Sequence, residues 1–343
     1  MKTTTKDYFN GLVGQDNAKR KIAFFIKSYM NEGDLPHIMF VAPKGTGKTA
    51  FSHALGSNLT QQGSSKPKPL IEINCSTIKN LKQFFNELVI PVLVDRDATV
   101  FFDECSELPK DVTMALLTIL NPNKERRTEF TYEDYTFHCD FKRLSFIFAT
   151  TEAQDVFHAL MDRCERIDLE DYSHDELAQI MQLINNKQKW EGDVLHKIAT
   201  TLRGNARKAQ QMADKIRLAL SNKSRRKEIF TKKDWKGLSY TMTIFPLGLT
   251  TAEIRLLRTL SEQKYTRLTN LSAKLGLSKA CIQRDHELYL QKHNLMEVTP
   301  HGRAISPRGI DYLNELGKQE MIDEYERENK TEYKNNKDNY TTK

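Results

Sequence analysis

The sequence predicts an α/β domain with a parallel sheet, followed by two smaller and mainly helical domains. In the first half of the chain, short apolar runs alternate with stretches of helical periodicity; the runs are Ile38–Val41, Leu70–Ile73, Thr99–Phe102 and Leu144–Ala149. Continuous apolar runs are typical of strands that are buried on both faces of a parallel sheet. From about Ser173 onward the strand-like runs stop, which predicts helical domains.

Helix candidates lie between and after these runs. Asp16–Tyr29 places apolar residues on one helical stripe. The other candidates of the first domain are Ala50–Leu59, Leu81–Val89 and Val112–Leu120, and those of the second are His174–Ile184, Asp193–Leu202 and Asn205–Leu220. Ser173 and Glu176 have the spacing of a capping box, which supports the helix start at His174.

The domain boundaries follow from these changes of pattern. We place an α/β domain at 1–170, an all-helical lid at 171–240 and a third domain at 241–317. Lys223–Lys227 is a basic connector. The tail at 318–343 has little apolar periodicity, so we expect it to be disordered.

Composition limits the class of protein but does not assign a function. The 39% hydrophobic and 28% charged residues fit a soluble globular protein. A net charge of +7 is compatible with a nucleic-acid partner, and equally with a basic protein that has none. Five scattered cysteines without a C-x-x-C pair predict reduced thiols and a cytoplasmic location. We expect no membrane segment, because no apolar run approaches the length of a span.

The segment His37–Thr49 predicts a nucleotide phosphate site. An apolar strand ends in a glycine-containing loop, and a helix candidate follows, so that loop N–H groups and the helix dipole favour a bound anion. Lys48 can reach the β- and γ-phosphates, and the Thr49 hydroxyl can hold Mg²⁺. The predicted cofactor-binding residues of the loop are Ala42, Pro43, Lys44, Gly45, Thr46, Gly47, Lys48 and Thr49. The alternative is a strand–helix turn that uses glycine only for its backbone freedom.

Two later strands end in polar residues that suit ATP chemistry. Asp103 and Glu104 follow an apolar strand, where Asp103 can hold the Mg²⁺ shell and Glu104 can polarise the attacking water. Thr151 ends the run that begins at Ser145. Carboxyl ends of parallel strands meet at one edge of the sheet, so these groups are predicted to lie together. Arg163 ends a short helix and is either an arginine finger or a surface arginine paired with a nearby carboxylate, Asp162 or Glu165.

These motifs together resemble the AAA+ ATPases, and most closely the RuvB-type Holliday-junction branch-migration motors, from roughly Phe9 to Leu316. The matching segments, in chain order, are an N-terminal box (Leu12–Asp16), Walker A (Ala42–Thr49), Walker B (Phe101–Glu104), sensor 1 (Ala149–Thr151), the arginine-finger segment (Leu160–Arg163), sensor 2 (Arg203–Ala209) and the wing of a winged helix (Val298–Ala304).

The resemblance implies a fold and a set of site residues. The fold is a P-loop parallel-sheet domain, a small helical lid and a C-terminal winged-helix domain. The cofactors are ATP and Mg²⁺, with Val13 and Gly14 beside the adenine and Arg207 as sensor 2. Arg163 is the finger that acts on a neighbouring subunit, and the assembly is a homo-oligomer, a hexameric ring.

Several positions depart from the pattern that the resemblance implies. Ala42 and Lys44 replace a glycine and a proline of the loop, and Asn205 with Ala206 replaces a threonine–proline pair. Ser106 stands for a histidine after Walker B, and Glu152 for an arginine after sensor 1. The core ATPase residues are kept, so the sequence is typical of a divergent member of the family.

The third domain is predicted to bind DNA. Three helix candidates are followed by a hairpin; they are Thr251–Ser261, Leu268–Leu275, Ser278–His293 and Leu295–Ile305. Between residues 241 and 310 there are ten lysines and arginines against five carboxylates, which favours phosphate contacts. The resemblance places Arg303 in a minor groove, and we add Arg284 and Arg308 as DNA contacts. The alternative is a winged helix that binds protein.

Arg126–His138 alternates polar and apolar residues and predicts a hairpin. In the family that the chain resembles, a hairpin in this region binds the junction-recognition partner RuvA. The alternative is a hairpin that serves packing between subunits.

Three functions fit the sequence. The first is an ATP-driven ring motor that translocates duplex DNA and moves four-way junctions in recombination and repair. The second is a clamp-loader-like ATP switch in replication, which Asp162–Cys164 also suggests; the winged helix at 250–309 argues against it, because clamp-loader subunits lack one. The third is an ATP-regulated winged-helix DNA-binding protein.

Overall fold

The computed structural model describes residues 8–120, 127–132, 135–141, 143–221 and 229–318. The basic connector 223–227 and residues 319–343 of the tail therefore lie outside the described residues. Contacts divide the chain into two compact units, Met1–Leu238 and Ser239–Lys343. Within the part of the chain that is described, no helix is both long and apolar enough to cross a membrane.

The first unit is built on a five-stranded parallel sheet. Its strands, with those of two small accessory sheets, are β1 (His37–Val41), β2 (Leu70–Asn74), β3 (Thr99–Asp103), β4 (Arg127–Tyr132), β5 (Tyr135–Asp140), β6 (Ser145–Thr150), β7 (Cys164–Asp168), β8 (Lys189–Trp190) and β9 (Ile229–Phe230). The main sheet has the order β2-β3-β6-β1-β7, and every neighbouring pair is parallel. The carboxyl ends of β1, β3 and β6 are therefore adjacent.

The four predicted apolar strands are confirmed, and the sheet has a fifth strand, β7, that the sequence pattern does not predict. In β7 only Ile167 is fully buried, and the charged Glu165 and Arg166 are exposed. An edge strand with one buried side chain lacks the apolar run that marks the other strands.

The helices of the first unit are divided between the sheet domain and the lid. They are α1 (Asp16–Glu32), α2 (Lys48–Ser57), α3 (Leu81–Gln83), α4 (Lys110–Ile119), α5 (His158–Met161), α6 (His174–Ile184), α7 (Val194–Ala199) and α8 (Ala206–Ser221), while α9 (Lys232–Thr241) runs across the boundary to the second unit. A π-helical segment, Phe84–Leu93, directly continues α3. The capping box of α6 is present: Ser173 accepts from the Glu176 amide, and Glu176 accepts in return.

Apolar side chains cover both faces of the sheet. On β3, Val100 and Phe102 belong to one core cluster, whereas Phe101 between them belongs to the other. The same alternation holds on β6, since successive strand residues point to opposite faces. The Phe102 ring stacks on that of Phe148 with centroids 5.2 Å apart. This double burial fixes the register of β3 against β6 and so positions the residues at their ends.

The lid departs from the all-helical prediction in one respect. Its three predicted helices are present, but β8 and β9 form a short parallel pair beside them. The Trp190 and Phe230 rings pack edge-on across this pair. Two-residue strands are too short to show the period of two that would reveal them in a sequence. The predicted inserted hairpin is present as the antiparallel pair β4–β5.

The second unit contains the three predicted helices and the hairpin. Its elements are α10 (Thr251–Ser261), α11 (Leu268–Leu275), α12 (Lys279–Cys281), a π-helical segment (Ile282–Glu287), α13 (Leu288–Lys292), β10 (Met296–Thr299), β11 (Gly302–Ile305) and a helix at 307–318. The third predicted helix is therefore present without a break: α12, the π-helical segment and α13 follow one another directly. The π-helical turns in its middle are wider than those of an α-helix. Leu256, Leu257, Leu271, Ile282 and Leu290 lie in the core of this unit.

Candidate functional site

The phosphate loop joins β1 to α2. Gly45 and Gly47 have φ angles of 81° and 101°, in the left-handed region that glycine adopts without strain. The Thr46 hydroxyl donates to the Pro43 carbonyl oxygen over 2.8 Å, and this side chain is buried. The loop is therefore held in a fixed turn at the N-terminus of α2, where the helix dipole favours an anion.

Lys48 extends along this loop. Its Nζ donates to the carbonyl oxygens of Ala42, at 3.0 Å, and Pro43, at 3.3 Å, and the residue is only 7% exposed. Burial lowers the Lys48 pKa, while the charges of Glu104 and Asp103 act in the opposite direction. Ala42 is buried in the core below the loop, so this core accommodates its methyl group at the position where the resemblance implies glycine.

Two carboxylates end β3. The Glu104 amide donates to Asp103 Oδ1 over 3.1 Å, and Glu104 has φ 54° and ψ 53°, a left-handed conformation that is rare outside glycine. Burial raises the Asp103 pKa, and the neighbouring Glu104 charge raises it further. The pair therefore concentrates negative charge at a partly buried position.

The residue that follows β6 contacts Glu104. The Thr151 hydroxyl donates to Glu104 Oε2 over 3.2 Å. The preceding Thr150 is fully buried and donates to the Ser106 hydroxyl over 3.1 Å. The residues that directly follow β6 and β3 are thus connected by a hydrogen bond, which the adjacency of the two strands allows.

These elements form one wall of a cleft of about 620 Å³, and the lid forms the other. The predicted site residues that line it are Val13, Lys44, Gly45, Gly47, Lys48, Thr49, Asp103, Glu104 and Arg207. Other predicted residues are not part of the lining: Ala42, Pro43 and Thr46 take part in hydrogen bonds that hold the loop, and Thr151 contacts Glu104. Gly14 lies against the Glu176 side chain, where a Cβ would have no room.

The apolar lid residues of the cleft are missed by sequence reasoning, whereas Arg207 is predicted. Ile180, Leu183 and Ile184 of α6 line it, although Leu183 is 54% exposed. The sequence does contain a signal for them. Only Leu177 and Met181 of α6 are buried in the core, and the helix has further apolar residues that this core does not need. Tyr172 also lines the cleft, and burial raises its pKa to about 12. An isolated tyrosine between two elements has no pattern that would single it out.

Arg163 lies away from the cleft lining. It follows α5 and is half-buried, with Nη1 donating to the Ala159 carbonyl oxygen over 3.0 Å. Its Nε is buried and has no hydrogen-bond partner among the described residues. The nearby Asp162 pairs instead with His158, at 3.0 Å.

The three arginines of the second unit that are predicted to contact DNA lie in different environments. Arg303 lies on β11, and its guanidinium makes two hydrogen bonds to Glu287. Arg284 is 79% exposed on the π-helical segment, 3.6 Å from Asp285. Arg308 is exposed at the start of the last helix.

Two families match the chain in separate regions. Residues 38–172 match the "ATPase family associated with various cellular activities (AAA)", and residues 246–314 match the "RuvB C-terminal winged helix domain". The "Holliday junction branch migration complex subunit RuvB" of Mycoplasmopsis pulmonis is 24% identical, with 90% of this chain and 96% of that protein covered. The protein of the same name from Campylobacter lari is 26% identical, with 92% and 93% covered.

Solved structures share the fold over most of the chain. The Thermotoga maritima RuvB Holliday junction branch migration motor superposes with a TM-score of 0.69 at 21% identity, covering 88% of this chain and 95% of that one. A mutant of the same Thermotoga maritima protein gives a TM-score of 0.70, also at 21% identity. Along this chain, the AAA match precedes the winged-helix match. The chain thus combines an AAA ATPase domain with a RuvB-type C-terminal winged-helix domain, and its similarity to the RuvB proteins extends over nine-tenths of its length.

Proposed function

We propose that this protein is an ATP-hydrolysing ring motor that translocates duplex DNA and drives branch migration of four-way junctions. The observation that carries the proposal is the convergence of Lys48, Asp103 and Glu104 on one cleft that the lid closes from the other side. The relatives that match over nine-tenths of the chain are branch-migration subunits by name.

The cleft suits ATP with Mg²⁺. Loop N–H groups and Lys48 provide positive potential for the phosphates, and Arg207 adds a cation from the lid. Thr49 and Asp103 supply the hard oxygen ligands that Mg²⁺ prefers, and the crowded negative charge of Asp103 and Glu104 would be stabilised by a cation. When bound, Mg²⁺ would neutralise charge on the phosphates.

Glu104 is the group that orients the attacking water in this proposal. Its carboxylate is held by the Thr151 hydroxyl, so that Thr151 acts as a positioning residue. Arg163 would complete the site of a neighbouring subunit in a hexameric ring, since it lies outside the cleft of its own subunit. Stabilisation of transition-state charge by an arginine in trans accelerates phosphoryl transfer by orders of magnitude.

The second unit would hold the DNA. The exposed Arg284 and Arg308 are suited to phosphate contacts, which are salt-sensitive and largely independent of sequence. Arg303 would contact a minor groove only if its guanidinium left Glu287. The hairpin β4–β5 is the proposed surface for a junction-recognition partner resembling RuvA.

The decisive experiment is ATP-driven dissociation of a synthetic four-way junction. We expect strand exchange with ATP, none with a non-hydrolysable analogue, and none with the variant Lys48→Ala. A linear duplex of the same sequence serves as the substrate control, and the assay is run with and without a RuvA-type protein.

The outcomes separate the candidate functions. ATP turnover with junction movement supports the motor. ATP-dependent DNA binding without movement under any condition would contradict it and would favour an ATP-regulated DNA-binding protein. Movement only in the presence of the RuvA-type protein would support both the motor and the partner surface.

A further inference from the structure

The lid is hydrogen-bonded directly to the backbone of the phosphate loop. Asn205, just before α8, donates from Nδ2 to the Lys44 carbonyl oxygen over 2.8 Å. The Arg207 amide donates to the Gly45 carbonyl oxygen over 3.3 Å. Two consecutive peptide groups of the loop are therefore held by the first residues of one lid helix.

Asn205 uses both ends of its side-chain amide. While Nδ2 contacts the loop, Oδ1 accepts from the Lys208 amide over 3.0 Å, which is the N-cap interaction of α8. The cap fixes the orientation of the amide plane, so that the donor is aimed at Lys44. A threonine or serine at this position would keep the cap but could not reach the loop.

The contact leaves no free space at Gly45. A Cβ there would lie 2.2 Å from Asn205 Oδ1 and 2.5 Å from Nδ2. The glycine is therefore required both by its φ of 81° and by the approach of the lid side chain.

Hydrogen bonds to these carbonyl oxygens also orient the loop N–H groups that would donate to a phosphate. In a trans peptide, the C=O and the following N–H share one plane and point in opposite directions. Fixing the Lys44 carbonyl toward the lid therefore turns the Gly45 N–H away from it, and fixing the Gly45 carbonyl does the same for the Thr46 N–H. These are the N–H groups that a phosphate loop offers to its anion.

We infer that Asn205 is a positioning residue of the nucleotide site: it sets the peptide planes of the phosphate loop according to the position of the lid. Opening of the lid would release the Lys44 and Gly45 carbonyls and loosen the grip on the β-phosphate. This rests on nucleotide binding in the proposed function but not on movement of DNA.

The test compares Asn205→Thr with Asn80→Thr in the full chain. Asn80 is a matched control, because it caps α3 through an Oδ1 contact with the Gln83 amide and lies outside the cleft lining. By calorimetry without DNA, we expect Asn205→Thr to weaken ATP and ADP binding about fivefold, the effect of one lost hydrogen bond. AMP, which has no β-phosphate, should compete as before. The KM for ATP should rise while kcat is kept.

Equal loss of AMP binding, a fall in kcat without a change in KM, or unchanged ADP affinity would overturn the inference. If Asn205→Thr does not fold, Asn205→Ser keeps the cap and is judged by the same ratio of ADP to AMP affinity. A Lys48→Ala variant that binds ATP like the parent would instead show that the nucleotide site itself is wrong.

Discussion

Arg303 in the wing and Glu287 in the third helix of the second unit form a two-pronged ion pair. Nε lies 2.8 Å from Oε1 and Nη2 lies 3.2 Å from Oε2. The two side chains are only 14% and 4% exposed. In this conformation the guanidinium joins the hairpin to the helix, which competes with any contact to DNA.

We therefore predict that Arg303→Ala destabilises the second unit. Removing one partner leaves Glu287 buried without compensation, which costs about 3 kcal/mol. Urea unfolding of the full chain would measure this loss in the free energy of unfolding. Arg284→Ala is the matched control, because that side chain is 79% exposed: it should leave stability unchanged and weaken DNA binding with a shallower salt dependence. Normal stability of Arg303→Ala with weaker DNA binding would restore the minor-groove role.

Arg163→Ala should bind ATP normally and lose hydrolysis. The residue lies outside its own cleft, so the loss arises at the neighbouring site. Mixing this variant with Lys48→Ala subunits should partly restore ATP turnover, because some interfaces then combine an intact loop with an intact arginine. Full activity of the purified single variant would exclude the role in trans.

The raised pKa of Asp103 makes stability depend on pH in a defined direction. The folded carboxyl holds its proton at a pH where the unfolded one has lost it, so acidification through that window stabilises the folded state. We predict that Asp103→Asn raises the thermal midpoint of the nucleotide-free protein at neutral pH and abolishes Mg²⁺-dependent hydrolysis. Asp155→Asn, at an exposed position, should change neither. A lower midpoint for Asp103→Asn would contradict the assigned cause.

Thr151→Val should lower kcat and spare nucleotide affinity. The variant keeps the shape of the side chain but removes the donor to Glu104, a hydrogen bond to a charged group whose loss corresponds to about tenfold in rate. Thr151→Ser keeps the hydroxyl and should retain most of the activity. Equal activity of the valine and serine variants would show that the hydrogen bond does not position Glu104.

The elements that can be predicted from the sequence are those whose side chains all lie in the same kind of environment, such as the buried core. β1, β3 and β6 are buried on both faces, so their apolar runs and the polar residues after them are visible in the sequence. The capping box at Ser173 similarly marks a helix start through local chemistry.

Residues with two environments are not predictable in this way. β7 mixes one buried residue with exposed charges, and the Ile180–Ile184 part of α6 divides its apolar side chains between the lid core and the cleft. The partner of Arg303 cannot be inferred either, because Glu287 is distant in sequence and becomes close only when the hairpin folds back on the helix.

The left-handed backbone of Glu104 has a consequence for variation at that position. A glycine, asparagine or aspartate would adopt φ 54° with less strain, whereas only a glutamate places its carboxylate beside the Thr151 hydroxyl. In a screen of all substitutions at position 104, glutamate should not give the highest protein abundance. In the same screen, only glutamate should support ATP turnover. Folding stability and catalysis therefore favour different residues at position 104, and the glutamate present is the one that catalysis favours.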